Sequence, residues 1–225
     1  MNANTAPVFV VTGATSGIGE AIATHLADTG ARVLVGARTP KSGDAAAARI
    51  RSTVRDAKIG VSGDLSEMTQ VRTLAEQVRE RTDRLDGLIL NAAEIRPRAT
   101  YETTKLLAAV FAAELGRRTH GIGITANAAD PGFVRTNLGR HVTGAFRLFL
   151  TLTRPFQSPP RKAAATAIHL AIAPQAATAT GGYYTKSQPG KPSPLARDPE
   201  LGQQLWAQSI ALLSAAGASP DELNS

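Results

Sequence analysis

The sequence predicts an α/β fold: a doubly wound, parallel sheet with helices on both faces. Three observations lead there. Short apolar runs alternate with longer helix-like segments along the 225 residues, the order that builds parallel sheets. A glycine-rich turn within Val11–Gly19 joins the first apolar run to the first helical pattern. Small polar clusters recur just after later runs, at the strand ends where such sheets bind ligands. At this length a single domain over 1–225 is expected, with enough chain to bury a full core.

The elements follow in order. Val8–Val11 is the first strand, and a helix runs from Gly17 until Gly30 stops it. Arg32–Ala37 is the second strand. The helix after it has Thr39 as N-cap and Pro40 in its first turn, where a missing N–H costs nothing. Lys58–Ser62 reads as the third strand. A helix from about Ser66 then places Val71, Leu74, Ala75 and Val78 on one stripe. Gly87–Leu90 is the fourth strand, and Tyr101–Arg118 a helix. Ile122–Asn127 reads as a further strand ending before Asp130-Pro131-Gly132. A helix from Ser158-Pro159-Pro160 carries Ile168 and Ile172, and Gly181–Tyr184 makes a last short strand. A proline-rich connector, Gln188–Pro199, leads to a C-terminal helix over 199–214 containing Leu205, Trp206, Ile210 and Leu213.

Composition narrows the classes of function. The hydrophobic share of 43% is that of a globular protein. Zero cysteines exclude disulfides and thiolate metal sites, and His25, His120, His141 and His169 are too scattered for a metal motif. A net charge of +7 raises nucleic-acid binding, but the arginines at 49, 51, 55, 72, 79, 81 and 84 are interleaved with Asp56, Glu76, Glu80 and Asp83. That pattern reads as solvated helix faces, not a nucleic-acid surface. No signal peptide and no apolar run of about 18–20 residues are visible, so the expectation is a cytoplasmic protein with no membrane span.

Strand, glycine turn and helix together make a dinucleotide site. Gly13 permits the tight turn, Gly17 lets the backbone approach a pyrophosphate, and Gly19 allows close packing of helix on strand. The helix N-terminus then faces the phosphate charge with free N–H groups. Asp64-Leu65 ends the third strand, where a carboxylate can accept from an adenine amino group. Asn91-Ala92-Ala93 ends the fourth. The reactive element is Tyr101 with Lys105. An i, i+4 spacing puts both on one helix face, and an ammonium beside a phenol favours phenolate. Such a tyrosine can exchange a proton with a carbonyl or alcohol while hydride moves to or from a nicotinamide. After the second strand stands Arg38, with no acid before Asp44. A carboxylate there would hold the ribose 2′-hydroxyl of NAD, whereas an arginine fork suits the 2′-phosphate of NADP.

Taken together, Gly13, Gly17, Gly19, Asn91, Ala92, Tyr101, Lys105 and the Pro131-Gly132-x-Val134-x-Thr136 segment resemble the short-chain dehydrogenase/reductase family. The stretch NAADPGFVRTNLGRH and, more weakly, the tail GGYYT…DPELGQQLW are similar to its retinol dehydrogenase and protochlorophyllide reductase-like members. The resemblance implies a Rossmann-type domain and catalysis by Tyr101 with Lys105. It implies a cofactor set of Gly13, Thr15, Ser16, Gly17, Ile18, Gly19, Arg38, Asp64, Leu65, Asn91, Ala92, Tyr101, Lys105, Pro131, Gly132, Val134 and Thr136. It also implies a helix and a further strand between Asn91 and Tyr101, carrying an active-site asparagine and a serine. Here only ten positions separate the two residues, so the fold is shortened by one strand and one helix. Thr100, Thr103 and Thr104 are nearby hydroxyls, and no spacing assigns one to the serine's role. The strand starting at Ile122 should then lie directly beside the one ending at Leu90.

Two functional readings follow. The first is an NADP-dependent oxidoreductase interconverting a carbonyl and an alcohol on a small molecule. The apolar segment Val142–Leu152 suggests a lipophilic one, though a packed helix accounts for that segment equally. The second is a catalytically impaired NADP-binding relative acting as sensor, partner subunit or remnant. Homo-oligomer formation is left open.

Overall fold

The computed structural model describes residues 6–54, 61–62, 65, 67–92, 101–132, 134 and 158–217. It has a Rossmann-like α/β fold with a parallel sheet. Its residues group into two compact units, 1–93 with 131–168 and 94–130 with 169–225.

In the first unit, the valine-rich segments β1 (Val8–Thr12) and β2 (Arg32–Ala37) pair in parallel, from Val8↔Arg32 to Thr12↔Gly36. Every residue of β1 is buried, and all of β2 but its first. Such continuous apolar runs, not alternating ones, are what a sheet covered on both faces requires. β3 (Val61–Ser62) joins the far side of β2, and β4 (Gly87–Ile89) joins β1, giving the order β3-β2-β1-β4. The remainder of the strand expected over Lys58–Ser62 lies outside the described residues.

Three helices belong to these strands. α1 (Gly17–Asp28) buries Ile22, Ala23, Leu26 and Ala27, an i, i+1, i+4, i+5 face. Full burial of Ile22 and Leu26 contributes roughly 1.5–3 kcal/mol each. Gly30, at φ +87, ends the helix as expected. α2 (Pro40–Thr53) opens on the Thr39 cap: Thr39 and Ser42 satisfy each other's backbone N–H groups, with Pro40 next in the chain. α3 (Met68–Arg81) turns Leu74 inward with Val71 and Val78 half-buried. Ala75, expected on that stripe, is exposed. At the amino end of the sheet the Asp86 carboxylate accepts the Val8 N–H at 2.8 Å and both Arg84 contacts at 2.6 and 2.7 Å.

The second unit is built on α4 (Tyr101–Arg118), β5 (Ala128–Asp130), β6 (Tyr183–Thr185), β7 (Gln188–Pro189) and a C-terminal helix, numbered α6 below. β5 and β6 are parallel, and β6 turns back onto β7 through Lys186 and Ser187, both at positive φ. α5 (Pro160–Ile172) precedes β6 in the chain and buries Ala163, Ala164 and Thr166. α6 (Pro199–Ala215) starts at the Asp198 N-cap and ends one residue beyond the expected 214. Its Trp206 stacks on Phe111 of α4 at 5.5 Å, with the Arg118 guanidinium 4.5 Å from the indole. The Glu114 side chain, 5% exposed, takes both Arg117 and Arg118 at 2.7 Å. Burial pushes its carboxyl up, and the two guanidinium partners more than reverse that, holding it below the ordinary glutamate value.

The strand expected over Ile122–Asn127 is not there. Gly121 and Gly123 adopt φ +86 and +80, and the Ile122 N–H turns back to the Thr119 carbonyl, so the chain bends where extension was expected. The extended segment is Ala128–Asp130, directly after the expected span, and it gives its ladder to β6. Among the described residues β4 pairs with β1, and β5 pairs with β6. Leu88 and Leu90, at 52% and 68% exposure, correspondingly face solvent.

Candidate functional site

The best-defined constellation sits at the carboxyl ends of β1, β2 and β4. The order β3-β2-β1-β4 places successive connections on opposite sides of β1, which makes its carboxyl end the switch point where such sheets open a crevice. Gly13 has φ +63, and a Cβ on it would stand 2.9 Å from the Ala92 Cα, so both conformation and space exclude a side chain. Gly17 has φ +64 with no atom within 4 Å of the Cβ position: open space at the helix start, as the approach of a phosphate requires. A Cβ on Gly19 would lie 2.5 Å from both the Asn91 side chain and the Gly13 carbonyl oxygen. Gly19 therefore serves close approach of the helix to its own loop and to the residue after β4, more than to a strand.

Two side chains lock this turn. The Thr12 hydroxyl donates to the Ile89 carbonyl at 3.3 Å and accepts the N–H groups of Asn91 and Ala92 at 3.1 Å. The Asn91 amide donates to the carbonyls of Thr12 and Gly13 at 3.2 Å. Asn91 thus spends its nitrogen on shaping the loop. Ser16 is extended and makes no side-chain cap bond, so no cap side chain covers the first N–H groups of α1. They are the orphan donors of a helix start, with the positive end of the helix dipole behind them.

Arg49 of α2 braces the loop from outside. Its guanidinium donates to the Thr15 carbonyl at 2.6 Å and grips Glu20 at 2.8 and 3.2 Å. The Glu20 bond holds the guanidinium pKa above the ordinary arginine value. Glu20 lies in the first turn of α1, where its charge would oppose an incoming phosphate, and Arg49 offsets it. This arginine, read from sequence as a solvated face, is part of the loop's support. Arg38 follows β2 at the same sheet edge, exposed, with no ion-pair partner among the described residues. Leu65 is exposed, and Asp64 lies outside the described residues. Pro131 is half-buried, Gly132 turns at φ +70, and Val134 bridges in parallel to Ser158. Thr136 and the segment Val142–Leu152 lie outside the described residues, as do Ala93 and Thr100.

The second unit holds the expected acid/base pair. Tyr101 is the first residue of α4, and Lys105 lies one turn on. Burial of the Lys105 ammonium draws its pKa below the ordinary lysine value, and the Asp130 carboxylate opposes that. The residue as a whole is nevertheless exposed. Asp130, the last residue of β5, accepts the Tyr183 hydroxyl at 2.8 Å. Burial, and then this carboxylate, push the Tyr183 phenol up to about 12. Cavities of about 130 and 330 Å³ in this unit share Ala113, Arg117 and Gly181 in their walls, and neither is lined by Lys105 or Asp130. Among the described residues no cluster of histidine and acid side chains could hold a metal, and no helix is long and apolar enough to cross a membrane.

Sequence reasoning missed Thr12, Arg49, Asp130 and Tyr183 as contributors. Thr12 had a signal, standing directly before Gly13 at a strand end. For the rest, the partners lie 29 to 53 positions apart and no local pattern joins them.

Comparison with known proteins agrees with this geometry. The short chain dehydrogenase family model matches residues 7–100. Human retinol dehydrogenase 13 is 27% identical over 276 aligned positions, covering 91% of this chain and 83% of that protein. That alignment is longer than the chain itself, so part of the relative has no counterpart here. Mouse polyprenol dehydrogenase is 37% identical over 130 residues, 56% of this chain and 38% of that protein. Among solved structures, an actinorhodin polyketide ketoreductase with NADPH superposes with a TM-score of 0.66 at 23% identity, covering 82% of this chain and 97% of that one. L-sorbose reductase from Gluconobacter frateurii, complexed with NADPH and L-sorbose, gives 0.64 at 19% identity, covering 82% and 97%.

Proposed function

We propose that the chain is an oxidoreductase of the short-chain dehydrogenase/reductase family, that it binds NADP(H), and that it interconverts a carbonyl and an alcohol on a lipophilic small molecule. The observation that carries this reading is the locked turn of Thr12, Gly13, Gly19 and Asn91, which leaves the start of α1 uncapped and the space at Gly17 open. A dinucleotide fits that set. The α1 N–H groups would take the pyrophosphate, and Arg38 would take the 2′-phosphate that distinguishes NADP from NAD. Solved structures of this fold with NADPH support the same choice. The remaining cofactor positions are those of the resemblance: Thr15, Ser16, Ile18, Asp64, Leu65, Ala92, Pro131, Gly132, Val134 and Thr136.

The bound cofactor supplies or accepts hydride. Tyr101 gives the proton to the carbonyl oxygen in reduction and takes it from the alcohol in oxidation, a contribution of about 10²–10⁴-fold. Lys105, one turn away, keeps a positive charge near the phenol and lowers the cost of its ionised form. Relatives named for retinol and polyprenol support an apolar alcohol or its carbonyl as substrate.

A second reading keeps cofactor binding without efficient turnover. It is favoured by the ten positions between Asn91 and Tyr101 and by the unpaired outer edge of β4 among the described residues. Loss of one donor to the developing oxyanion costs roughly 10²–10³ in rate. The test is NADPH oxidation across aldehydes and ketones by the parent and by Tyr101→Phe. Slow turnover that falls at least about 100-fold in the variant supports the first reading. Equal rates, or no turnover despite NADPH binding, establish the second.

A further inference from the structure

The glycine turn is held from outside its own segment by one side chain of α2. That helix buries Gly43, Ala46, Ala47 and Ile50, an i, i+3, i+4, i+7 face, and Arg49 borders this face three residues after Ala46. Its guanidinium reaches two different groups of the turn and of α1. Nη2 donates to the Thr15 carbonyl at 2.6 Å, while Nε and Nη2 fork onto the two Glu20 carboxylate oxygens at 2.8 and 3.2 Å. In a trans peptide the C=O and the N–H that follows it point in opposite directions. Pinning the Thr15 oxygen to Arg49 therefore turns the Ser16 N–H away from α2, and among the described residues that N–H finds no backbone acceptor. Ser16 is exposed, and Gly17, next in the chain, borders open space. Glu20 stands three residues after Gly17, on the same face of α1.

We propose that Arg49 is a positioning residue for the nucleotide site: it aims the Ser16 N–H at the approaching phosphates and offsets the Glu20 charge beside them. The inference rests on the reading that this turn binds NADP(H). Two physical effects act together. The first is preorganisation, since a donor already aimed needs no ordering when the phosphate arrives. The second is charge. A carboxylate within one helical turn of a bound phosphate repels it, and left unshielded should weaken binding about three- to thirtyfold at low salt. The Arg49 fork offsets that charge from outside the site. Both side chains keep contact with solvent, at 50% and 25% exposure, so salt screens the effect. Arg38 is placed to meet a cofactor phosphate itself, whereas Arg49 acts through Thr15 and Glu20.

Fluorescence titration of the full chain with NADPH, at about 0.02 M and about 0.5 M salt, tests both effects. Arg49→Met keeps the stem and removes the charge and the donors. It should weaken NADPH about three- to thirtyfold at low salt and less at high salt. Glu20→Gln should tighten binding about two- to threefold, and adding it to Arg49→Met should recover at least about threefold, because the repelling charge is gone. A brace that is only structural predicts a double variant no tighter than Arg49→Met. Affinity of Arg49→Met within about twofold of the parent, or a double variant no tighter than the single one, overturns the proposal. Should Arg49→Met fail to fold, shown by far-ultraviolet circular dichroism, Glu20→Gln decides, and unchanged or weaker binding overturns it. Amide hydrogen exchange of the unliganded chain separates this proposal from the reading beneath it. The peptide over residues 12–20 should exchange faster in Arg49→Met than in the parent. A parent that binds no NADPH defeats the cofactor reading, and equal exchange in the two proteins then overturns Arg49 as the brace as well.

Discussion

The two edges of the first sheet's central strand differ sharply. On one side β1 meets β2 along five residue pairs, and both strands are buried almost throughout. On the other it meets β4 along three pairs, and Leu88 of β4 and Leu90 just after it stand largely in solvent. Yet the β4 end carries the Thr12 and Asn91 side-chain bonds that shape the glycine turn. Packing and function have thus separated at β4. Its last residues hold the turn, while among the described residues its outer edge pairs with no strand.

The largest expected effect puts the contrast in numbers. Leu34, 1% exposed in β2, should cost about 2–5 kcal/mol on truncation to alanine, whereas Leu88→Ala in β4 should cost less than about 1 kcal/mol. Urea unfolding of both variants checks it, and comparable losses would mean that β4 is buried in solution.

Next comes the lock itself. Gly19→Ala puts a methyl 2.5 Å from the Asn91 amide and the Gly13 carbonyl oxygen, so loop or helix must shift. Overpacking of this kind costs about 1–3 kcal/mol. The same shift should weaken NADPH binding at least tenfold, about 1.4 kcal/mol. Thermal unfolding and a binding titration read the two effects separately. Loss of stability with full affinity would show that the turn is structural and not a cofactor site.

A smaller effect is expected at the amino end of β1. The Arg84 guanidinium holds the Asp86 carboxyl below its ordinary value, against burial and with help from the Val8 N–H. A folded-state pKa below the unfolded one stabilises the protein above the unfolded value of about 3.9, and that contribution is lost as pH falls through the folded value. Asp86→Asn should therefore cost about 1–2 kcal/mol at neutral pH, and that cost should shrink as pH falls through the folded value. A cost that persists in acid would assign the effect to packing.

Much of the first unit is legible in the sequence because its causes are local. Thr39 caps α2 through a residue three positions away, Gly30 stops α1 where a positive φ is needed, and Gly13 and Gly17 turn the chain between adjacent elements. The features that escape notice depend on distant partners. Arg49 looks like one arginine among many until α1 brings Glu20 and Thr15 to it. Asp130 reads as part of a turn, and only the β5–β6 pairing shows its tyrosine. The misread strand has another cause. Ile122 and Ile124 carry strand propensity, but Gly121 and Gly123 take the left-handed conformation and the isoleucines stay 66% and 55% exposed. Propensity without a buried face does not make a strand.

The central claim is that the β1–β2–β4 end of the sheet is a working NADP(H) site. Fluorescence titration of the parent and of Arg38→Ala with NADPH and NADH tests it most directly. The account predicts that the parent binds NADPH at least about tenfold more tightly than NADH, as one charge-assisted arginine–phosphate contact provides. Arg38→Ala should bring the two within about threefold by weakening NADPH alone. A parent that binds neither nucleotide, or a variant that loses both equally, would contradict it.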